Sequence, residues 1–249
     1  MSGWGTEALL RQIGVASGWA RLTLLEAFEL SCEDEPVPLP LPAQRVLAFL
    51  ALQDHPVRRA YSACTLWIDS SEDRAFGSLR SALWRLRREG YPLIEATNGT
   101  LRLAPEVVVD VREATASARR LLDSADDVVD VDRDRVLLSG ELLPDWYDDW
   151  VLIERERFRQ LRVHALESLC ERLTAARRFA EAVETGLAAV KGEPLRESAH
   201  RALINAHLAE GNQADALSEY HFFRRLLRDR VGLEPSAQME ALVGPLISR

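Results

Sequence analysis

Laying Ala180-Glu181-Ala182-Val183 on Ala214-Asp215-Ala216-Leu217, an offset of 34 residues, also brings Ala165 onto Ala199 and Leu169 onto Leu203. A self-match at that period leaves few architectures open. Each repeat is a helix pair that cannot bury its apolar stripe alone, and only stacking on a neighbour completes the core. The C-terminal part of the chain is therefore expected to be all-α, with pairs of amphipathic helices from Val111 onward interrupted by the loop around Gly140 to Asp149.

The repeat occupies only part of the 249 residues, a length that favours two domains and can bury a core without disulfides or metals. Cys32, Cys64 and Cys170 are far apart and form no CxxC pair, so no disulfide framework and no zinc site is expected, and a reducing cytoplasm is the natural compartment. Nowhere do about eighteen uncharged residues follow one another, so no membrane partner is expected. The net charge of −8 conceals an uneven distribution. Residues 106–249 carry 20 basic and 27 acidic side chains, whereas Arg74 to Arg102 holds six arginines against Glu89 and Glu95. A local basic stripe of this kind is the electrostatic footprint of a nucleic-acid partner, whatever the overall charge.

Upstream of Pro105 the pattern is different. Arg21 to Ser31 alternates, Val37 to Leu39 is a second extended run, and Glu33-Asp34-Glu35 lies between them, which reads as a small hairpin. Pro42 to Gln53 places Val46, Leu47, Leu50 and Ala51 on one helical face. A short helix over Arg59 to Trp67 follows. Ser70 with Asp73 resembles a capping box before a third helix, Asp73 to Glu89, which turns Ala75, Phe76, Leu79, Ala82, Leu83 and Leu86 inward and ends at Gly90. Leu93-Ile94-Glu95-Ala96 and Thr100-Leu101-Arg102-Leu103 flank Asn98-Gly99, a pair suited to a tight hairpin. Strands, three helices and a closing hairpin spell a winged helix-turn-helix. The expected organisation is an N-terminal extension (1–20), a winged-helix DNA-binding domain (21–105) that folds and binds duplex without the rest, and a tetratricopeptide-like domain (110–249).

The third helix carries the function. Opposite its apolar stripe stand Arg74, Gly77, Ser81, Trp84, Arg85 and Arg88. A guanidinium fork takes both O6 and N7 of guanine, and serine can donate to or accept from several base-edge groups. A solvated basic face is the bland alternative, and the basic hairpin immediately downstream, with Arg102, weighs against it. Gly77 costs about 1 kcal/mol against alanine at an exposed helix position; close approach to a phosphate and simple drift both account for it. The cluster Asp145, Asp148 and Asp149 with Trp146, Tyr147 and Trp150 is read as packing plus helix N-terminal charge. No HExxH, GxSxG or GxGxxG occurs, and His55, His164, His200, His207 and His221 lack metal-ligand spacing, so no enzyme, cofactor or metal is expected.

With AQRVLAFLAL, TLW followed by DSSE, SLRSALWRLRR, GELLPDWYDDWVLIERERFRQL, EPLRESAHRALINAHLAEGNQADAL and GLEPS, the chain from about Arg21 to its C-terminus resembles the SARP family, the Streptomyces antibiotic regulatory proteins. That family joins an OmpR-like winged helix to a bacterial transcriptional activator domain. The resemblance implies an activator of a nearby biosynthetic gene cluster that binds repeated elements in double-stranded promoter DNA, with room for a homodimer on the repeats, and that contacts RNA polymerase. It carries the recognition role to Arg74, Ser78, Ser81, Arg85 and Arg88. Two departures stand out: Arg58 replaces a serine or threonine cap, worth about 1 kcal/mol, and Ile68 replaces a proline. No GxxxxGK[ST] occurs, so a small member without built-in ATPase control is expected. The competing reading is a helical-repeat scaffold whose winged helix no longer binds DNA; salt-sensitive duplex binding separates the two.

Overall fold

The computed structural model describes residues 19–88, 90–97, 99–123 and 131–247, without the side chains of Arg88 and Ile247. The N-terminal extension therefore lies, but for its last two residues, outside what is described. Contacts divide the chain into two units, one of residues up to Ala114 with Gly140–Phe158, the other of Thr115–Ser139 with Arg159–Arg249. The architecture is mainly α, as expected.

In the first unit a four-stranded sheet is ordered β3-β2-β1-β7, built from β1 (Ala20–Thr23), β2 (Glu29–Cys32), β3 (Glu35–Pro36) and β7 (Val107–Val109). This corrects the expected hairpin. The alternating run Arg21 to Ser31 does not continue as one strand but folds back on itself, pairing Leu22 with Leu30, because Glu26 enters the left-handed region at φ 70°. The acidic turn then joins β2 to β3, with Glu33 and Asp34 at φ 50° and 70°, and Val37 to Leu39 forms no strand. Strand β7 was not anticipated. Its parallel pairing with β1, Leu22 opposite Val109, carries this sheet beyond residue 105, the expected end of the winged-helix domain, into the span 106–110 read from the sequence as the boundary.

Helix α1 (Leu41–Ala51) starts on Pro40 and Pro42, where a missing N–H costs nothing, and buries Ala43, Val46, Leu47, Phe49 and Leu50. Its last carbonyls are met by one side chain: Arg112 donates to the oxygens of Leu50, Ala51 and Gln53 at 3.2, 2.8 and 3.0 Å. After β4 (Val57–Arg58) comes α2 (Arg59–Leu66), whose N-cap Arg58 makes no side-chain cap bond, as the departure from the family pattern implies. Helix α3 (Glu72–Arg88) packs on α1 and α2. Ser71, not the expected Ser70, supplies its opening carbonyl, to Ala75 N–H at 2.9 Å. Strands β5 (Ile94–Thr97) and β6 (Thr100–Leu103) close the wing, with β4 added on the other side of β6.

Asp110 fastens this unit. Fully buried, its carboxylate accepts N–H bonds from Leu24 (2.9 and 3.0 Å), Leu25 (2.9 Å) and Val111 (2.6 Å), and so terminates β1 while starting α4 (Asp110–Asp123). The aromatic-acidic loop is structural, as read from the sequence. Leu143 N–H donates to the Leu24 carbonyl at 2.9 Å, Trp146 stacks on Phe28, Trp150 meets the edge of Phe49, and Asp148 pairs with Arg45.

The second unit contains α5 (Val131–Leu137), the C-terminal turns of α6 (Asp149–Ala175), α7 (Phe179–Gly192), α8 (Glu197–Glu210), α9 (Gln213–Val231) and α10 (Ala237–Ile247). Every position matched by the 34-residue offset and placed at a helix contact is buried: Ala165 and Ala199, Leu169 and Leu203, Ala182 and Ala216. Gly186 lets α7 approach α8, since a Cβ there would lie 3.1 Å from Leu203. The two C-terminal motifs of the resemblance are fastenings. In EPLRES, Arg196 and Ser198 bond Glu167 at 2.7 and 2.6 Å, and the buried His200 ring is held between Glu219 and the Pro194 carbonyl. In GLEPS, Glu234 accepts from Arg224 and Arg228, and Ser236 bonds Glu197.

Candidate nucleic-acid interface

Helix α3 is amphipathic for a simple reason: Ala75, Leu79, Ala82 and Leu86 recur at helical spacing and are all buried, which forces the opposite side outward. That side presents Arg74, Arg80, Ser81, Trp84, Arg85 and Arg87 as exposed side chains, with Gly77 and Ser78 half-buried. At about 100° per residue, Trp84 and Gly77 lie nearest the line opposite the buried stripe, Ser81 and Arg85 on one side of it and Arg80 and Arg87 on the other. The structure thus brings Arg74, Ser81 and Arg85 onto one surface as expected, sets Ser78 at its edge, and keeps Arg88 on the helix with its side chain outside the described residues.

The guanidinium groups of Arg74, Arg80, Arg85 and Arg87 make no hydrogen bond or ion pair among the described residues, unlike most other arginines of the chain. Four cations that pair with none of the described carboxylates turn their donors toward solvent or an incoming anion. Asp73, at the helix start, is the acidic exception on this face.

Arg102 differs. On β6 it faces Glu95 of β5 directly across the hairpin, and the two side chains pair at 2.6 Å. Both are about half exposed, so the pair is worth at most about 1 kcal/mol, and a phosphate would have to compete with Glu95 for the guanidinium. Gly99 takes φ 80° at the wing tip, the conformation that the Asn-Gly reading requires; Asn98 lies outside the described residues. The Gly99 carbonyl accepts the Arg59 N–H at 2.9 Å, which ties the wing to the start of α2.

Sequence reasoning left out two elements of this surface. Arg80 and Arg87, seven residues apart, form a second basic row beside the first, which their helical spacing alone could have revealed. Arg87 also borders, with Arg59, a cleft floored by Leu83, Leu86, Leu93 and Ile94 between α3 and the wing. No group of three or more potential metal ligands occurs among the described residues, and none of their helices is long and apolar enough to cross a membrane.

Comparisons with known proteins bear on both units. A family model described as the bacterial transcriptional activator domain matches residues 107–245. The chain is 29% identical over 238 residues to the regulatory protein AfsR of Streptomyces coelicolor, covering 91% of this chain and 24% of that protein. It is 25% identical over 193 residues to the AfsR of Streptomyces griseus, covering 71% and 19%. The chain thus spans a quarter or less of the length of these curated relatives. The solved structure of Mycobacterium tuberculosis EmbR in complex with a low affinity phosphopeptide superposes with a TM-score of 0.72 at 23% identity, over 93% of this chain and 66% of that one, which shows a shared fold.

Proposed function

The chain belongs to the bacterial transcriptional activator domain family and is a regulator of the SARP type, and from that premise we propose that it binds duplex promoter DNA sequence-specifically through α3 and activates transcription of a nearby biosynthetic gene cluster. The observation that carries this reading is the outward face of α3, where the guanidinium groups of Arg74, Arg80, Arg85 and Arg87, around Ser81 and Trp84, make no ion pair or hydrogen bond among the described residues. Arg85 and Ser81, one turn apart, are the proposed base readers; Arg74, Ser78 and Arg88 flank them. Arg102 and the wing anchor the phosphate backbone, which positions the protein but carries little sequence information.

The helical unit serves protein contact, with RNA polymerase as the proposed partner, since the excess of acidic residues beyond 106 repels a phosphate backbone. A homodimer on repeated sites and a cytoplasmic location complete the proposal, which includes no catalytic step.

The test uses the full chain and a duplex recovered by selection from a random library. Affinity should fall steeply with salt as phosphate counterions are released. Arg85→Ala should cost about 1–3 kcal/mol on the selected duplex and much less on a scrambled one. Arg102→Ala should weaken both alike. Absence of salt-dependent binding would remove the DNA-binding reading; equal loss on both duplexes for Arg85→Ala would remove the base-reading role of that residue.

A further inference from the structure

Trp84 is 59% exposed at the middle of the outward face of α3. It is the exposed large apolar side chain of this helix; Leu79 and Leu86 are buried, and Phe76 and Leu83 are at least half covered. An indole more than half exposed keeps only part of the burial that usually accompanies a residue of its size, and surface tryptophans concentrate where a binding partner covers the rest. What surrounds it describes the partner. Arg80 and Ser81 precede it by one turn, Arg85 follows, and none of the exposed α3 arginines with described side chains forms an ion pair among the described residues. An apolar protein surface would strand these charges; a polyanion would satisfy them.

The first half of the same face is low. Gly77, Ser78 and Ser81 project little, and a Cβ added at Gly77 would meet nothing nearer than the Arg80 Nη2 at 3.8 Å, so no contact within the fold calls for glycine there. A helix about 10–12 Å across in a groove about 12 Å wide can approach the base edges closely along such a stretch. Trp84, two turns farther along nearly the same line, then reaches the groove floor as the bulkiest group. The major-groove edges present hydrogen-bonding atoms and one apolar group, the 5-methyl of thymine.

We infer that Trp84 is a specificity-determining residue that packs its indole on a thymine methyl group in the major groove, an inference that rests on the DNA-binding reading above. The indole requires thymine at one position or two adjacent positions, beside the base pair read by Arg85.

The test takes the full chain and the library-selected duplex and replaces each thymidine in turn by deoxyuridine, which removes the methyl group and leaves pairing intact. Burying one methyl corresponds to about a fourfold change in affinity. One or two replacements should weaken the wild-type protein by that factor. Trp84→Ala, which leaves the buried stripe untouched, should bind the thymidine and deoxyuridine duplexes equally, and Trp84→Phe should keep part of the difference. The inference is overturned if no replacement affects the wild type, or if Trp84→Ala retains the full methyl dependence, or if it weakens every duplex uniformly, the mark of packing on sugar and phosphate. Failure to enrich any duplex would instead overturn the DNA-binding reading, and this inference with it.

Discussion

At Asp110 two opposing effects meet on one carboxyl group. Burial pushes its pKa up from 3.8 to about 6, while the N–H groups of Leu25, Leu24 and Val111 and the charge of Arg21 pull it down. With the folded value above the unfolded one, the native state holds the proton more tightly. The stabilisation from this linkage is then complete below 3.8, declines as pH rises toward about 6, and is absent above. The unfolding free energy of the wild type minus that of Asp110→Asn, followed across this range, should therefore fall with rising pH. A difference that is flat or rises would mean that the N–H donors outweigh burial. Gly77 offers a second test at this scale. Gly77→Ala should stabilise α3 by about 1 kcal/mol, since the added methyl meets only the far end of Arg80. If the gap serves groove approach, the same variant should bind duplex more weakly. Urea melts and duplex titration read the two effects separately, and unchanged affinity would leave the glycine without a role in binding.

Among the elements, α3 and the wing divide the charge differently. Arg74, Arg80, Arg85 and Arg87 of α3 make no ion pair among the described residues, whereas Arg102 is already paired to Glu95. Glu95→Gln should therefore release the Arg102 guanidinium and strengthen duplex binding without changing sequence preference, at a stability cost of less than about 1 kcal/mol. Titration of selected and scrambled duplexes checks this; an unchanged affinity on both would exclude Arg102 as a backbone anchor. The helical repeat shows the same economy. Small residues at 165, 182, 199 and 216 sit at the contacts, and Gly186 occupies the closest approach. The repeat is thus recorded in what the side chains lack.

For the molecule as a whole, the first unit is not completed by residues 21–105. Beyond Pro105 lie β7, the Asp110 carboxylate that satisfies Leu24 and Leu25, the Arg112 cap on α1, and the loop that packs Trp146 and Trp150 on Phe28 and Phe49. A fragment ending at Pro105 should therefore be largely unfolded by circular dichroism, while one extending through Phe158 should retain its winged-helix signal. A cooperative melt of the shorter fragment would show these fastenings to be dispensable. Deleting the helical repeats should abolish activation in a promoter reporter, and full response from the truncated protein would remove the activating role from that unit.

Local and periodic information was legible in the chain itself. Helical spacing placed α1, α2 and α3 to within a residue or two, Asn98-Gly99 located the wing, and the offset of 34 residues identified the buried helix contacts, because each depends on backbone geometry repeated within a short span. The outward set Arg74, Ser81 and Arg85 followed from the same arithmetic. What the sequence left open was decided by pairing between distant segments. The turn at Glu26, the parallel strand β7, the return of Gly140–Phe158 to the first unit and the engagement of Arg102 by Glu95 each depend on a partner supplied by the fold. Asp110 shows why. In the sequence it is one acid among many at a helix start; only when β1 ends against it do the two N–H groups that follow the strand need an acceptor, and only then does burial push its pKa up.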